Sequence, residues 1–504
     1  MTYELCMKSF QSCKATNVYC GLVIMIKLCI VVCAIFASTW AERRFIDPFR
    51  TVFDPPTEFQ PLTTDDVKTA WIDMPIDHFD PQNRDTYRMR YMYNDEFFGG
   101  NGSPVFILVG GEWDIVPGWL RAGNMYLIAQ ENRGHQIYTE HRYYGESLPY
   151  QNLTTENLRF LNVDQALADL AYFIEDLKQT PRFANSKIVL YGGSYAANMV
   201  LWFKQRYPHL VVGGVASSGP IKGQVDFTGY LEVVHSAFSS EGGSGCISTI
   251  RQGITETIAA MRTAAGRQSL EKAYRLCSPL KYDSPFDLGV FSGLISWSFS
   301  TSVQQARPGT LIAICNNFAN NVYGTTPMEQ IGGYIASTRN LPADDCWDID
   351  YESYVERYRT RNDNSRAWYY QTCTEYGYYQ TAPRVGTVFD GLVWLSVPFY
   401  VDVCKQAYDP KFDEAFVSDA VERVNLVFGA LQPDVNSTIN IHGAIDPWHA
   451  LGVHDRDLKE GSPTITVPRA SHCFDMQGWR VSDTIAMTNA QQFARRTVAQ
   501  WLAD

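Results

Sequence analysis

A serine placed between a predicted strand and a predicted helix limits the folds that this chain can adopt. Residues 187–191 form an apolar run typical of a buried strand, and apolar residues then recur at helical spacing until Pro208. Residues 192–196 between them read Gly-Gly-Ser-Tyr-Ala, which departs from Gly-x-Ser-x-Gly only at the last position. We interpret this turn as a nucleophile elbow with Ser194 at its apex. The alternative, a glycine-rich turn of a nucleotide-binding unit, is disfavoured because Gly-x-Gly-x-x-Gly is absent.

The rest of the chain indicates the sheet in which this turn would lie. Strand-like runs at residues 104–109, 136–139 and 211–216 alternate with helical patterns, which predicts a parallel sheet with helices on its faces. From about residue 221 helical patterns lie between irregular stretches, and regular alternation returns only near residue 438. We therefore predict an α/β fold with a mostly helical cap inserted into it. The predicted division is a signal region 1–41, a sheet domain 42–220 and 366–504, and a helical cap 221–365.

A serine hydroxyl needs a general base, and that base needs an acid to orient it. In the α/β-hydrolase arrangement these follow the serine in the order Asp or Glu, then His, each on a loop after a strand. Asp446 follows the predicted strand 438–442, and His472 follows the predicted strand 464–467. We predict a triad of Ser194, Asp446 and His472. The alternative for His472 is an ordinary surface histidine.

An oxyanion hole would have to lie beside the serine. The backbone N–H of Tyr195, directly after the serine, is the first predicted donor. The second would come from the glycine-rich turn that follows an early predicted strand, at Gly111. A plain structural turn is the alternative at that position.

The N-terminal segment has the composition of a targeting signal. Residues 28–37 are apolar but short for a membrane span, and Thr39-Trp40-Ala41 offers a small-x-small cleavage site. Met25 and the lysine after it resemble the start of a signal peptide, so we predict that translation begins at Met25. The alternative is a signal anchor over about residues 19–36.

The cysteines and glycosylation sequons also favour the secretory pathway. Seven cysteines follow residue 41, spaced singly and without a Cys-x-x-Cys pair, which favours disulfides over zinc. Because seven is odd, at least one thiol is left over or pairs between chains. A homodimer is therefore one of the alternatives. Asn-x-Ser/Thr sequons at Asn101, Asn152 and Asn436 predict glycosylation.

Charge and missing motifs exclude several classes of function. The net charge is −12 and the pI about 5.3, which argues against nucleic acid and against anionic membrane surfaces as partners. The sequence has no His-Glu-x-x-His motif, no phosphate loop and no dinucleotide fingerprint. We therefore expect no metal and no organic cofactor.

Seven motifs in order carry a resemblance to a known family over nearly the whole chain. The chain resembles the serine carboxypeptidase family that contains prolyl carboxypeptidase, dipeptidyl peptidase II and thymus-specific serine protease. The resemblance implies an α/β-hydrolase domain with a helical cap, and the same triad. One departure is Ala197, where relatives have glycine, which puts the packing of the elbow in question. The motifs are Ile76-Asp77-His78-Phe79, Gly110-Gly111-Glu112, Glu140-His141-Arg142-Tyr143-Tyr144-Gly145, Gly192-Gly193-Ser194-Tyr195, Tyr370-Gln371-Thr372-Cys373-Thr374-Glu375, Asp446-Pro447-Trp448 and Ser471-His472-Cys473.

The resemblance implies a secreted or lysosomal serine exopeptidase that cleaves short peptides next to proline. It does not indicate whether the enzyme acts at the N-terminal or the C-terminal end of the peptide. Glu112 and Glu375 are candidates to bind a substrate amine, although either could instead pair with an arginine such as Arg142. Trp448 and residues 368–370 could accept proline or simply belong to an aromatic core. The alternative functions are an esterase or lipase of the same fold and a catalytically idle binding protein.

Overall fold

Within residues 66–503, the part of the chain that this computed structural model describes, ten β-strands form two sheets. The predicted signal region 1–41, the predicted start at Met25 and the alternative anchor lie outside the described residues. The strands are β1 (Val67–Pro75), β2 (Thr86–Asn94), β3 (Val105–Leu108), β4 (His135–Thr139), β5 (Ile188–Gly193), β6 (Gly213–Ser217), β7 (Gln224–Asp226), β8 (Gly377–Tyr379), β9 (Thr438–Gly443) and β10 (Thr464–Val467).

The main sheet has eight strands in the order β1-β2-β4-β3-β5-β6-β9-β10. The strands from β4 to β10 in this order pair in parallel, whereas β1 with β2 and β2 with β4 pair antiparallel. The carboxyl ends of β3, β5, β6, β9 and β10 therefore meet at one edge of the sheet. In open α/β sheets this edge is where ligands bind.

Helices cover both faces of the main sheet and bury its apolar side chains. Ile188 and Leu190 of β5 face one apolar core, while Val189 and Tyr191 face the other, as the two-residue period of a strand requires. Asn162 is the N-cap of the helix that begins at Val163, because its side chain accepts the backbone N–H of Gln165. The α-helices in the order of the chain are α1 (Asn124–Glu131), α2 (Val163–Gln179), α3 (Tyr195–Arg206), α4 (Gly229–Ala260), α5 (Ala264–Tyr274), α6 (Pro285–Gln304), α7 (Thr310–Ala319), α8 (Pro327–Thr338), α9 (Tyr351–Thr360), α10 (Asn364–Gln371), α11 (Val397–Ala407), α12 (Glu414–Phe428) and α13 (Ile485–Ala503).

A long insertion separates β6 from β9 in the main sheet. It contains the nine helices α4–α12 and the two-stranded parallel sheet of β7 and β8. The molecule therefore has the predicted α/β-hydrolase architecture with a mostly helical cap between the serine and the acid. The division at residues 220, 221, 365 and 366 stays a prediction. Helices continue past residue 366 as far as Phe428.

Three disulfides stabilise the insertion, and one described cysteine is free. The pairs are Cys246–Cys315, Cys277–Cys346 and Cys373–Cys404. Cys473, in the loop after β10, is the buried free thiol among the described residues. This arrangement agrees with the prediction of disulfides and of at least one cysteine left without a partner in the chain. Among residues 66–503, no helix is both long and apolar enough to cross a membrane.

Candidate active site

Ser194 lies at a sharp turn between β5 and α3. Its backbone angles are φ 56° and ψ −130°, a region that costs a non-glycine residue of the order of 1–3 kcal/mol. A Cβ atom at Gly192 would lie 2.5 Å from the carbonyl oxygen of Ala196, so this position excludes any side chain. The backbone N–H of Ser194 donates to the carbonyl of Ser217 at 2.9 Å, which fixes the turn against β6. The structure thus has the strand, strained serine and helix that the sequence predicts.

The neighbouring loop makes room for the unusual alanine at position 197. A Cβ atom at Gly219 would lie 3.1 Å from the Cβ of Ala197, closer than most side-chain contacts allow. Because residue 219 is glycine, the extra methyl of Ala197 is buried without such a contact. The departure from the family pattern therefore leaves the turn at Ser194 intact.

Asp446 and His472 form a buried pair on the loops that follow β9 and β10. The Nδ1 atom of His472 lies 2.8 Å from Oδ2 of Asp446. The other carboxylate oxygen of Asp446 accepts the backbone N–H of Trp448 at 3.0 Å, so the acid is held from two sides. The Nε2 atom of His472 is buried and has no hydrogen-bond partner among the described residues. This nitrogen is therefore available to a reacting group.

The two side chains of this pair shift each other's pKa in opposite directions. Burial alone would lower the pKa of His472, but the charge of Asp446 raises it well above its usual value. Burial alone would raise the pKa of Asp446, but the charge of His472 and its hydrogen bond hold it below the usual value. The pair therefore favours a carboxylate beside a protonated imidazole.

Ser217 and Ser218 at the end of β6 join the serine loop to the histidine loop. The carbonyl of Ser217 accepts the N–H of Ser194, and the Sγ atom of Cys473 lies 3.7 Å from the same carbonyl. The backbone N–H of Cys473 donates to Oγ of Ser218 at 3.0 Å. The loops that carry Ser194 and His472 are thus both attached to the carboxyl end of β6.

A buried carboxyl group beneath these loops escaped the sequence analysis. The hydroxyl of Ser217 donates to Asp475, whose second carboxylate oxygen has no hydrogen-bond partner among the described residues. Burial raises the pKa of Asp475 to about 7. The only indication in the sequence that Asp475 lies at this site was its position three residues after His472.

The two predicted oxyanion donors follow adjacent strands. As the first residue of α3, Tyr195 has a backbone N–H without a partner inside its helix. Gly111 follows β3, which pairs with β5, so both positions lie at the same edge of the sheet. A Cβ atom at Gly111 would lie 2.6 Å from the ring of Trp113. Close packing by itself therefore favours glycine there, and the oxyanion role of both residues stays a prediction.

Tyr195 also anchors a buried hydrogen-bond network behind the serine. Its hydroxyl lies 3.1 Å from Nε2 of His141 and accepts hydrogen bonds from Gln371 and Tyr376 at 3.2 and 3.1 Å. Burial lowers the pKa of His141 to about 4, so its imidazole is neutral. His141 and Gln371 belong to motifs quoted for the family resemblance, but their positions in the sequence did not indicate that they meet.

The two glutamates predicted to bind an amine have different surroundings. Both oxygens of Glu375 accept protein hydrogen bonds, from the N–H of Val163 at 2.8 Å and from Gln371 at 3.1 Å. Glu112 is buried beside the predicted oxyanion turn. Arg142, the alternative partner of both, forms a two-point ion pair with Asp169 at 2.6 and 2.7 Å.

Trp448 belongs to an aromatic cluster next to Asp446. It is buried, and its ring lies edge-on to Tyr230 and Tyr378 at 5.2 and 5.5 Å. Its indole N–H donates to the side chain of Gln304, the last residue of α6, at 3.2 Å. The helical cap and the loop that carries Asp446 are therefore in contact at Trp448. A role of this ring in accepting proline stays a prediction.

Two further predictions concern glycosylation and cofactors. The sequons at Asn101, Asn152 and Asn436 are all exposed, as glycosylation requires. Across residues 66–503, no group of three or more His, Cys, Asp or Glu side chains could hold a metal ion. Glycosylation and the absence of a cofactor both stay predictions.

The fold and the Ser, Asp and His side chains at its carboxyl edge define a hydrolase of the serine type. A family model described as serine carboxypeptidase S28 matches residues 74–494, and the chain belongs to that family. It is 30% identical to the thymus-specific serine protease of Mus musculus, over 87% of this chain and 88% of that one. It is 26% identical to the lysosomal Pro-X carboxypeptidase of Bos taurus, over 88% and 90%. The protein is a serine-type peptidase.

Proposed function

We propose that the protein is a serine exopeptidase in which Ser194, His472 and Asp446 form an acyl-enzyme with short peptides. The hydrogen bond between His472 and Asp446 carries the proposal, since it orients an imidazole whose other nitrogen has no protein partner. The strained turn at Ser194 supports it, because this turn places a serine hydroxyl at the carboxyl end of a parallel strand.

In the proposed reaction the neutral imidazole of His472 takes the proton of Ser194 as Oγ attacks the scissile carbonyl carbon. Asp446 stabilises the resulting imidazolium, and the backbone N–H groups of Tyr195 and Gly111 donate to the oxyanion. The tetrahedral intermediate then expels the amine, which receives its proton from His472. Water repeats the same steps on the acyl-enzyme and releases Ser194.

For the substrate, we propose a peptide that loses a single C-terminal residue after proline. The similarity to a Pro-X carboxypeptidase and the aromatic cluster around Trp448 support a proline site. An aminopeptidase would need a free carboxylate for the substrate amine, and both oxygens of Glu375 are already occupied. Glu112 stays the candidate for an amine in a dipeptidyl peptidase.

The disulfides support a place in the secretory pathway. The name of the lysosomal relatives agrees with this proposal. Exposed sequons at Asn101, Asn152 and Asn436 are the proposed glycosylation sites.

A peptide library analysed by mass spectrometry tests the chemistry and the specificity together. We expect the wild type to remove one residue that follows proline, and Ser194→Ala to lose about 10⁶-fold in kcat. A fluorophosphonate probe should label the wild type and the exposed control Ser248→Ala, but not Ser194→Ala. Release of N-terminal dipeptides would contradict the carboxypeptidase assignment, and equal labelling of Ser194→Ala would contradict the role of Ser194.

A further inference from the structure

A polar cleft opens at the start of α2 and is bordered by Tyr370 and Glu375. Its volume is about 480 Å³, enough for a small molecule. Arg206 from α3 and Arg423 from α12 line it, together with Arg159 from the turn before α2. Buried Gln371 donates both to Tyr195 and to Glu375 in the lining, which includes no residue of the proposed triad.

Positive charge exceeds negative charge in this cleft, although the whole chain carries a net charge of −12. The three arginines face two acids, Asp164 and Glu375. Arg206 and Arg423 each bind one oxygen of Asp164, but their side chains stay 37% and 55% exposed. Each guanidinium has five N–H donors, so several donors of this pair remain available to a ligand.

Arg159 adds a cation that no buried acid neutralises. Its guanidinium is half exposed and lies 3.6 Å from the exposed carboxylate of Glu156, a weak surface pair. Because Arg159 does not bind Asp164, it can contact a ligand without disturbing the ion pair inside the cleft.

Glu375 makes the charge of the cleft depend on pH. Burial raises the pKa of this carboxyl to about 7, against hydrogen bonds from Val163 and Gln371 that lower it. The nearby hydroxyl of Tyr376 also lowers the pKa of this carboxyl, while the charge of Asp164 raises it. The other groups that interact electrostatically with this carboxyl are Arg423, Tyr144, Tyr195, Tyr370 and Tyr378.

We propose that this cleft binds a small oxyanion, such as a phosphate, sulfate or carboxylate, and binds it more tightly below neutral pH. Guanidinium groups prefer these ligands because their planar donors match two acceptor oxygens at once. Protonation of Glu375 removes one negative charge from the cleft, so the attraction for an anion grows as the pH falls. Binding here would occur apart from the peptidase chemistry at Ser194.

Sulfate is a suitable probe because its charge stays constant over the relevant pH range. At constant ionic strength, we expect sulfate to raise the melting temperature in a saturable way, since a ligand stabilises the folded state that binds it. The shift at a given sulfate concentration should be larger at about pH 5.5 than at about pH 8. Ser194→Ala protein should show the same shifts, so this result does not depend on whether the proposed catalysis is correct.

Two arginine variants and one control test the site. Arg159→Gln leaves the Asp164 ion pairs intact and should bind sulfate about tenfold more weakly. Arg423→Gln should have a similar effect, whereas the exposed control Arg84→Gln should match the wild type. Glu375→Gln cannot ionise and should abolish the difference between the two pH values.

Succinate in place of sulfate shows whether planar carboxylates also bind. A saturable response to either anion supports the proposal. It is overturned if neither anion gives a saturable shift, or if Arg159→Gln and Arg423→Gln respond like Arg84→Gln.

Discussion

At the scale of single residues, the charge of Asp446 raises the pKa of His472, the base of the proposed reaction. In the proposed reaction the imidazole must be neutral to take a proton from Ser194, yet Asp446 raises its pKa well above the usual value. The kcat/KM of the wild type should therefore fall as the pH drops through this raised pKa.

Replacing Asp446 by asparagine should change both the rate and its pH dependence. Burial remains and the negative charge is lost, so the pKa of His472 falls and the acidic limb of kcat/KM moves to lower pH. The rate at the optimum should fall about 10⁴-fold because the imidazole loses its orientation. The measurement is a kcat/KM profile between about pH 4 and 9 for the wild type and Asp446→Asn.

The exposed Asp73 on β1 provides a matched control for this charge effect. Asp73→Asn removes the same charge far from the pair and should leave the profile unchanged. An acidic limb that stays in place in Asp446→Asn would show that another group controls it.

Chain order predicted that Ser194, Asp446 and His472 each follow a strand, and the structure has them after β5, β9 and β10, with Asp446 and His472 in contact. It could not predict the partners of Tyr195, since Gln371 lies 176 residues away and approaches only through the fold of the cap. It also left open whether Arg142 would pair with a glutamate. The observed partner of Arg142 is Asp169 on α2, and the tertiary fold brings these two side chains together.

At the scale of elements, the turn between β5 and α3 depends on the missing side chain of Gly192. A methyl group there would lie 2.5 Å from the carbonyl oxygen of Ala196, and backbone atoms cannot move away as a flexible side chain could. Gly192→Ala should therefore destabilise the protein by about 1–3 kcal/mol or more and lower its melting temperature.

Gly245 provides the matched control, because it lies inside α4 and a Cβ atom there would have nothing within 4 Å. Gly245→Ala should be neutral or stabilising by about 0.5–1 kcal/mol. Thermal unfolding of both variants tests the contrast. Equal melting temperatures for Gly192→Ala and the wild type would mean that the turn tolerates a side chain.

The elements of the sheet domain were easier to predict than those of the cap. Buried parallel strands such as β3 and β5 are continuous apolar runs, which a sequence shows directly. The antiparallel strands β1 and β2 were not predicted, because both are partly exposed and mix polar with apolar residues. The first half of α4 was not predicted, because glycines interrupt the helical spacing of its apolar residues. Gly243 in fact breaks the helical geometry with φ 79°.

At the scale of the whole molecule, the disulfides determine how firmly the cap holds the residues behind the serine. The sequence predicted that six of its cysteines would pair, but not which ones, because six cysteines allow fifteen connectivities. Cys246–Cys315 and Cys277–Cys346 overlap along the chain and link elements within the insertion. Cys373–Cys404 instead fixes the turn that contains Glu375 and follows Gln371.

Removing Cys373–Cys404 should therefore affect catalysis as well as stability. The double variant Cys373→Ser/Cys404→Ser opens a loop with a sequence separation of 31, worth about 3–4 kcal/mol of stability by chain entropy. It also frees Gln371, which donates to the hydroxyl of Tyr195, so kcat/KM of the folded variant should fall. The control Cys277→Ser/Cys346→Ser opens a longer loop, with neither cysteine in the turn after Gln371, and should lower the melting temperature while kcat/KM is retained. If both double variants lose kcat/KM equally, the cap acts on the site as one unit, and the turn at Cys373 has no special part in positioning Tyr195.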